Sequence, residues 1–176
     1  ESAKQIGPNE AVIRDASDLA RDMESWRELI FDIIDNSKFN VRFINSEHIL
    51  TGVDEGKLIM QEAFTSAYDK NGEQIPIGTF ISIAEKYEKV VDFDKAVVSN
   101  VIKHIKENQI DNNVSINLSL DSIVDSNFID WLIVTLQNNS SIANKLVFSI
   151  TAYGVAKDIE HFKVFAKVVN QYHARI

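Results

Sequence analysis

The chain has 176 residues, 45% of them hydrophobic and 25% charged, which is enough apolar content for a packed core and too much for disorder. Its 26 acidic against 18 basic residues give a formal net charge of -8, a surface that repels phosphate backbones and argues against non-specific DNA or RNA binding. There is no cysteine, so disulfide scaffolds, thiolate zinc sites and cysteine nucleophiles are excluded.

No run approaches the roughly 18 apolar residues of a membrane span, so no direct membrane contact is expected of this segment. The opening Glu1-Ser-Ala-Lys-Gln5 is not a signal peptide. Residues 1–17 are mixed, with a turn signal at Gly7-Pro-Asn9 and a short extended stretch at Val12 and Ile13. Ser17 or Asp18 can cap a helix over 18–36, whose Leu19, Met23, Trp26, Leu29, Ile30, Ile33 and Ile34 recur at three and four.

Phe39, Val41 and Phe43 alternate, predicting a strand to Ile44. A polar turn at Thr51–Gly56 leads to a second strand, Leu58–Phe64, and Asp69-Lys-Asn-Gly72 reads as a hairpin-like turn. Helices are expected over 80–87 and about 91–107. A βαβα alternation follows: strand 114–118, a helix capped by Asp121 or Asp125 and running through Leu136, strand 146–151, and a helix over about 156–172. Arg175 and Ile176 look like the first step of another strand. Alternation of this kind implies parallel pairing and right-handed crossovers. About four strands and five helices fall short of the roughly 250 residues of a complete (β/α)8 barrel. The fold class is α/β, either an open sheet or an incomplete barrel.

Two strands end on polar residues. Glu62 lies near the end of Leu58–Phe64 and Asn117 near the end of Val114–Ser119, while Ser149 occupies the equivalent place in the third. Strand ends of this kind build barrel active sites. Glu62 reads either as a strand-end carboxylate in solvent or as a hard-cation ligand with Asn117, since carboxylate and amide oxygens suit Mg²⁺ or Ca²⁺. Asn117 reads equally as a hydrogen-bonding residue of the following loop. Ser149 has no His or Asp grouped with it, so a nucleophilic triad is not expected. The glycines are scattered singly and form no phosphate loop. His104, His161 and His173 fall on predicted helices as surface residues and His48 in a loop; none has metal-ligand spacing. Trp26 and Trp131 are expected in the core.

The order Glu62-Ala-Phe64, Ile75-Pro-Ile-Gly-Thr-Phe-Ile-Ser-Ile-Ala-Glu85, Val114-Ser-Ile-Asn-Leu-Ser119 and Leu146-Val-Phe-Ser-Ile-Thr151 resembles the EAL domain family over about residues 26–176. That family comprises cyclic di-GMP phosphodiesterases and their inactive relatives. The resemblance implies an incomplete (β/α)8 TIM-like barrel over 38–176, a connector helix over 18–37, and a tail of a preceding GGDEF-like domain over 1–17. It matches Glu62 and Asn117 to metal ligands of the family, here vestigial. It matches Phe64 and Ser66 to ligand-binding positions, with Phe64 replacing the signature Leu and Ser66 the family's phosphate-contacting Arg. Ser149 and Ala152 replace two glutamates, and Ile44-Asn-Ser46 replaces Gln-Pro-Ile. The family's remaining site residues would lie after Ile176.

Loss of one carboxylate removes charge that holds a divalent ion, and loss of the Arg removes a bidentate phosphate clamp. The resemblance therefore implies a degenerate, non-catalytic domain with no cofactor, acting as a cyclic di-GMP receptor or a protein-interaction module in the cytoplasm, as in the cytoplasmic part of an inner-membrane GGDEF–EAL receptor. The alternative is a Mg²⁺- or Mn²⁺-dependent phosphodiesterase with altered ligands. A homodimer or protein partner is expected to cover the open sheet edge of an incomplete barrel.

Overall fold

The computed structural model describes residues 23–49 and 56–176. The expected tail and most of the 51–56 turn lie outside those residues, as does the first part of the connector helix. The described part of that helix is α1, Met23–Asp35, with Trp26, Leu29, Ile30, Ile33 and Ile34 buried along its apolar stripe. Strand β1 is Phe39–Glu47 and β2 is Leu58–Tyr68. Both run further than their sequence patterns: β1 takes in polar Asn45–Glu47, and β2 continues past Phe64. The β2 extension is paired antiparallel to a two-residue strand not expected from sequence, β3, Gln74–Ile75.

Helices α2, Ile77–Lys86, and α3, Val90–Glu107, come next. Strand β4, Asn113–Asn117, is followed by two helices in place of the single one expected: α4, Leu120–Val124, and α5, Ser126–Asn138. Each has its own cap. Ser119 accepts from the Ser122 amide, and the Asp125 side chain accepts from the Phe128 amide. Strand β5, Leu146–Ser149, precedes α6, Ala152–Lys157, and α7, Ile159–Gln171. The predicted last helix is thus also divided, at Asp158, whose backbone leaves the helical region and whose side chain caps α7.

The sheet order is β1-β2-β4-β5, with β3 on the far part of β2. The pairs β2–β4 and β4–β5 are parallel, in registers Glu62↔Ser115 and Asn117↔Ser149. Arg175 makes a parallel bridge to Val147, so the expected strand start at the end of the chain is present.

The described residues divide into two compact units, 23–40 with 65–93 and 41–49 with 56–64 and 94–176, the division falling within β1, β2 and α3. In the first, Phe93 packs edge-on against Phe39 at 5.0 Å and tilted against Phe80 at 4.9 Å. Lys89 bridges Asp35 and Asp92 there, and Trp26 is buried as expected. In the second, Val97, Val98, Val101 and Ile105 of α3, Val114 and Ile116 of β4, Leu132 and Leu136 of α5, and Phe148 and Phe165 form the core. Val114 and Ile116 of β4 and Leu146 and Phe148 of β5, two apart on each strand and opposite one another in register, are fully buried. Trp131 is half-buried, with the Lys95 ammonium 6.0 Å from its ring.

Four helices end alike. After α1, α2, α3 and α7 the chain turns through Ser37, Glu88, Gln109 and His173, each with positive φ. The next amide bonds back five residues, as Lys38 N to Ile33 O at 2.8 Å and Ile110 N to Ile105 O at 3.0 Å. This is the Schellman turn, which satisfies the last helical carbonyls and normally takes glycine.

Candidate functional site

Parallel pairing puts Glu62, Asn117 and Ser149 at neighbouring strand ends. Residues two apart on a strand share a face, so Glu62 and Phe64 of β2 lie on the same face as Ser115 and Asn117 of β4 and Ser149 of β5. The Asn117 Nδ2 donates to Glu62 Oε1 at 3.1 Å. Ser149 is the direct register partner of Asn117, and its carbonyl accepts from the Leu118 amide at 2.9 Å. Phe64 is 39% exposed. Ser66 is buried at 1% exposure, and its Oγ has no hydrogen-bond partner. Beside the site, Gln61 donates to Asn45 Oδ1 at 3.2 Å, and the Asn45 that stands in the family's Gln-Pro-Ile segment lies on β1, next to β2 in the sheet.

The chemistry of this face is oxygen donors with one negative charge. A hard divalent ion takes six or more oxygens and is held by carboxylates. Glu62 supplies one carboxylate, Asn117 an amide whose nitrogen is turned to that carboxylate, and Ser149 a neutral hydroxyl. Among the described residues no group of three or more His, Asp or Glu side chains is placed to hold a metal ion. The residues present fit such an ion poorly.

Two buried polar groups were not apparent from sequence. Asp94 of α3 is 4% exposed and binds the segment that follows Asn117. Burial raises its carboxyl above the usual range, while hydrogen bonds from Ser122 and Ser119 pull it back. The signal existed: Asp94 is four residues after Val90 and four before Val98, on the apolar stripe of its helix. His104, expected on the surface, stacks on Phe43 with ring centroids 3.6 Å apart, and its Nε2 is buried without a partner. His161 is exposed on α7, while His173 lies beyond that helix in its terminal turn.

The family model for the EAL domain matches residues 49–176. The chain belongs to the EAL domain family. Solved EAL structures share its fold. The S helix-GGDEF-EAL part of LapD from Vibrio cholerae, bound to c-di-GMP, is 24% identical with TM-score 0.77, over 88% of this chain and 36% of that one. The FimX EAL domain from Pseudomonas aeruginosa, also bound to c-di-GMP, is 19% identical with TM-score 0.73, over 88% of this chain and 60% of that one. The PaMucR phosphodiesterase in its c-di-GMP complex is 16% identical with TM-score 0.72, over 85% of this chain and 60% of that one. No curated protein matches. This chain therefore spans 36% to 60% of the length of these EAL structures. Its parallel strands and covering helices are those of a partial (β/α)8-like EAL barrel. Among the described residues no helix is long and apolar enough to cross a membrane.

Proposed function

We propose that this chain is a non-catalytic EAL domain of a bacterial cyclic di-GMP signalling protein, serving as a nucleotide receptor or protein-interaction module in the cytoplasm. The observation that carries the reading is the neutral Ser149 in register beside Asn117. Active EAL domains cleave a phosphodiester with metal-bound water, and the ion polarises the phosphoryl oxygen. One carboxylate at Glu62 supplies too little charge to hold it. The absence of an arginine at Ser66 removes a bidentate phosphate contact, and Phe64, exposed beside Glu62, offers a ring in place of the signature Leu. Support also comes from the c-di-GMP-bound LapD and FimX structures, which have the same fold. In a receptor, nucleotide shifts a two-state equilibrium by its different affinity for the two states, with α1 in the connector that carries the change.

The second reading is a Mg²⁺- or Mn²⁺-dependent phosphodiesterase with altered ligands. The closeness of Glu62 and Asn117 favours it, as does the shared fold of the PaMucR phosphodiesterase. Calorimetric titration of cyclic di-GMP, with and without Mg²⁺, into this chain and into the longest form of the protein that carries it separates the two. Metal-independent binding without turnover supports the receptor. Hydrolysis with Mg²⁺ overturns it, and no binding in either condition leaves the interaction module.

A further inference from the structure

Asp94 is the one charged side chain among the buried polar residues described, the others being serines. A buried carboxylate is costly unless its oxygens are hydrogen-bonded. Here Oδ2 accepts from the Ser119 amide at 2.9 Å, from Ser119 Oγ at 2.7 Å and from Ser122 Oγ at 2.7 Å. Three donors converging on one oxygen form a built cluster between α3 and the segment after β4. Ser119 Oγ in turn accepts from the Ser122 amide and so caps α4. Next to it, the Leu118 amide is bound to Ser149 O, and the Leu118 side chain is buried. The two residues that follow Asn117 are therefore fixed in two directions, by β5 and by α3. Asn117 itself is exposed, with Glu62 as its hydrogen-bond partner, so its own side chain has little packing to orient it.

We propose that Asp94 is a positioning residue for the candidate site: its carboxylate anchors Ser119 and Ser122 and so holds Asn117 within hydrogen-bonding reach of Glu62. That the held pair faces a nucleotide rests on the functional reading above; that Asp94 holds it does not. Asp94 acts through the backbone and touches no ligand.

The test is nuclear magnetic resonance on the 176-residue chain, reading the Asn117 side-chain amide and hydrogen exchange at the Ser119 amide. Asp94→Ala is expected to speed Ser119 exchange by about tenfold or more, because hydrogen bonds to a charged group are lost. It is expected to move the Asn117 amide resonances to their positions in Glu62→Ala. Asp94→Asn keeps one acceptor oxygen and is expected to restore part of both signals. Val98→Ala, which removes methyls from the buried face of the same helix and leaves the cluster intact, is expected to leave the Asn117 resonances in place. The proposal is overturned if Asp94→Ala leaves Asn117 unmoved, or if Val98→Ala moves it as far. Should Asp94→Ala not fold, Asp94→Asn and Ser119→Ala replace it: a shared displacement of Asn117 supports the proposal and no displacement in either sinks it. A cyclic di-GMP titration of the same samples separates the two ideas, since a wild-type chain that does not bind defeats the receptor reading and leaves the resonance result standing.

Discussion

Asn117 donates its side-chain amide to Glu62 across the β2–β4 parallel pair, although the two residues are not opposite one another in register. Glu62 is level with Ser115 and reaches one step along the shared face. The carboxylate that would serve a cation is thus engaged by a neighbouring amide, and the same face otherwise carries the buried Ser115, Ser149 and the Phe64 ring.

Because that hydrogen bond is exposed, it contributes little to binding through shape. Glu62→Ala is expected to leave the affinity for cyclic di-GMP in metal-free buffer within about tenfold of wild type. Calorimetric titration checks this. A larger loss that appears with Mg²⁺ and not without it would favour the metal-dependent reading.

The second unit depends on Phe148, fully buried on β5 and edge-on to Phe165 at 5.9 Å. Phe148→Ala is expected to cost about 3–5 kcal/mol, from lost transfer energy and the cavity left behind. Val134, 55% exposed on α5, is the contrast: Val134→Ala is expected to change stability by about 0.5 kcal/mol or less. Urea unfolding midpoints of both variants decide whether β5 or the helix surface carries the packing.

Gln109 ends α3 in the left-handed region at φ 51. That conformation costs an L residue about 1–2 kcal/mol, against the roughly 0.5–1 kcal/mol of chain entropy that glycine adds. Gln109→Gly is therefore expected to stabilise the chain by about 0.5–1 kcal/mol, read as a raised denaturation midpoint. A lowered midpoint would mean that the turn is held by the Gln109 side chain.

His104 gives stability a pH dependence. Burial lowers its pKa from 6.5, with Glu107 opposing. The Asn108 amide lies 3.1 Å from Nδ1, and Phe43 covers the ring face. The folded state thus disfavours the charged ring. The unfolded chain binds the proton first, so the stability present above about pH 6.5 is lost as pH falls from there through the depressed folded pKa. His104→Phe keeps the stack and removes the titration. Between pH 8 and pH 5.5 the wild type is expected to lose more urea resistance than this variant. Equal losses would show that the ring is not desolvated.

Much of the fold could be read directly. Apolar spacing located α1, α3 and the strands because each buries one continuous stripe or run, and the Asp69-Lys-Asn-Gly72 turn was plain from its residues: Asp69 Oδ1 accepts from the Asn71 and Glu73 amides, and Gly72 takes φ 83. Asp125, one of the two caps expected for the helix through Leu136, does cap α5; the short α4 before it shows no period of its own, and the division at Asp158 is hidden because Asp158 looks like a helix residue until its side chain is seen capping the next segment. β3 was missed because two residues are too short to show a period. The ends of α1, α2, α3 and α7 fall within a residue of the expected ones, although Ser37, Glu88, Gln109 and His173 stand where glycine would have announced the turn.

Residue order and periodicity by themselves determined the α/β alternation and the strand-end places of Glu62, Asn117 and Ser149, because local patterning follows from which face each element buries; the family entered through the resemblance of four short segments. Tertiary structure decided that Asn117 turns to Glu62, that Ser66 and His104 are desolvated, and that Asp94 leaves the solvent to bind the Ser119 segment 25 residues away. Those outcomes depend on which donors meet which acceptors once strands and helices pack, and partners so far apart along the chain leave no period in the sequence.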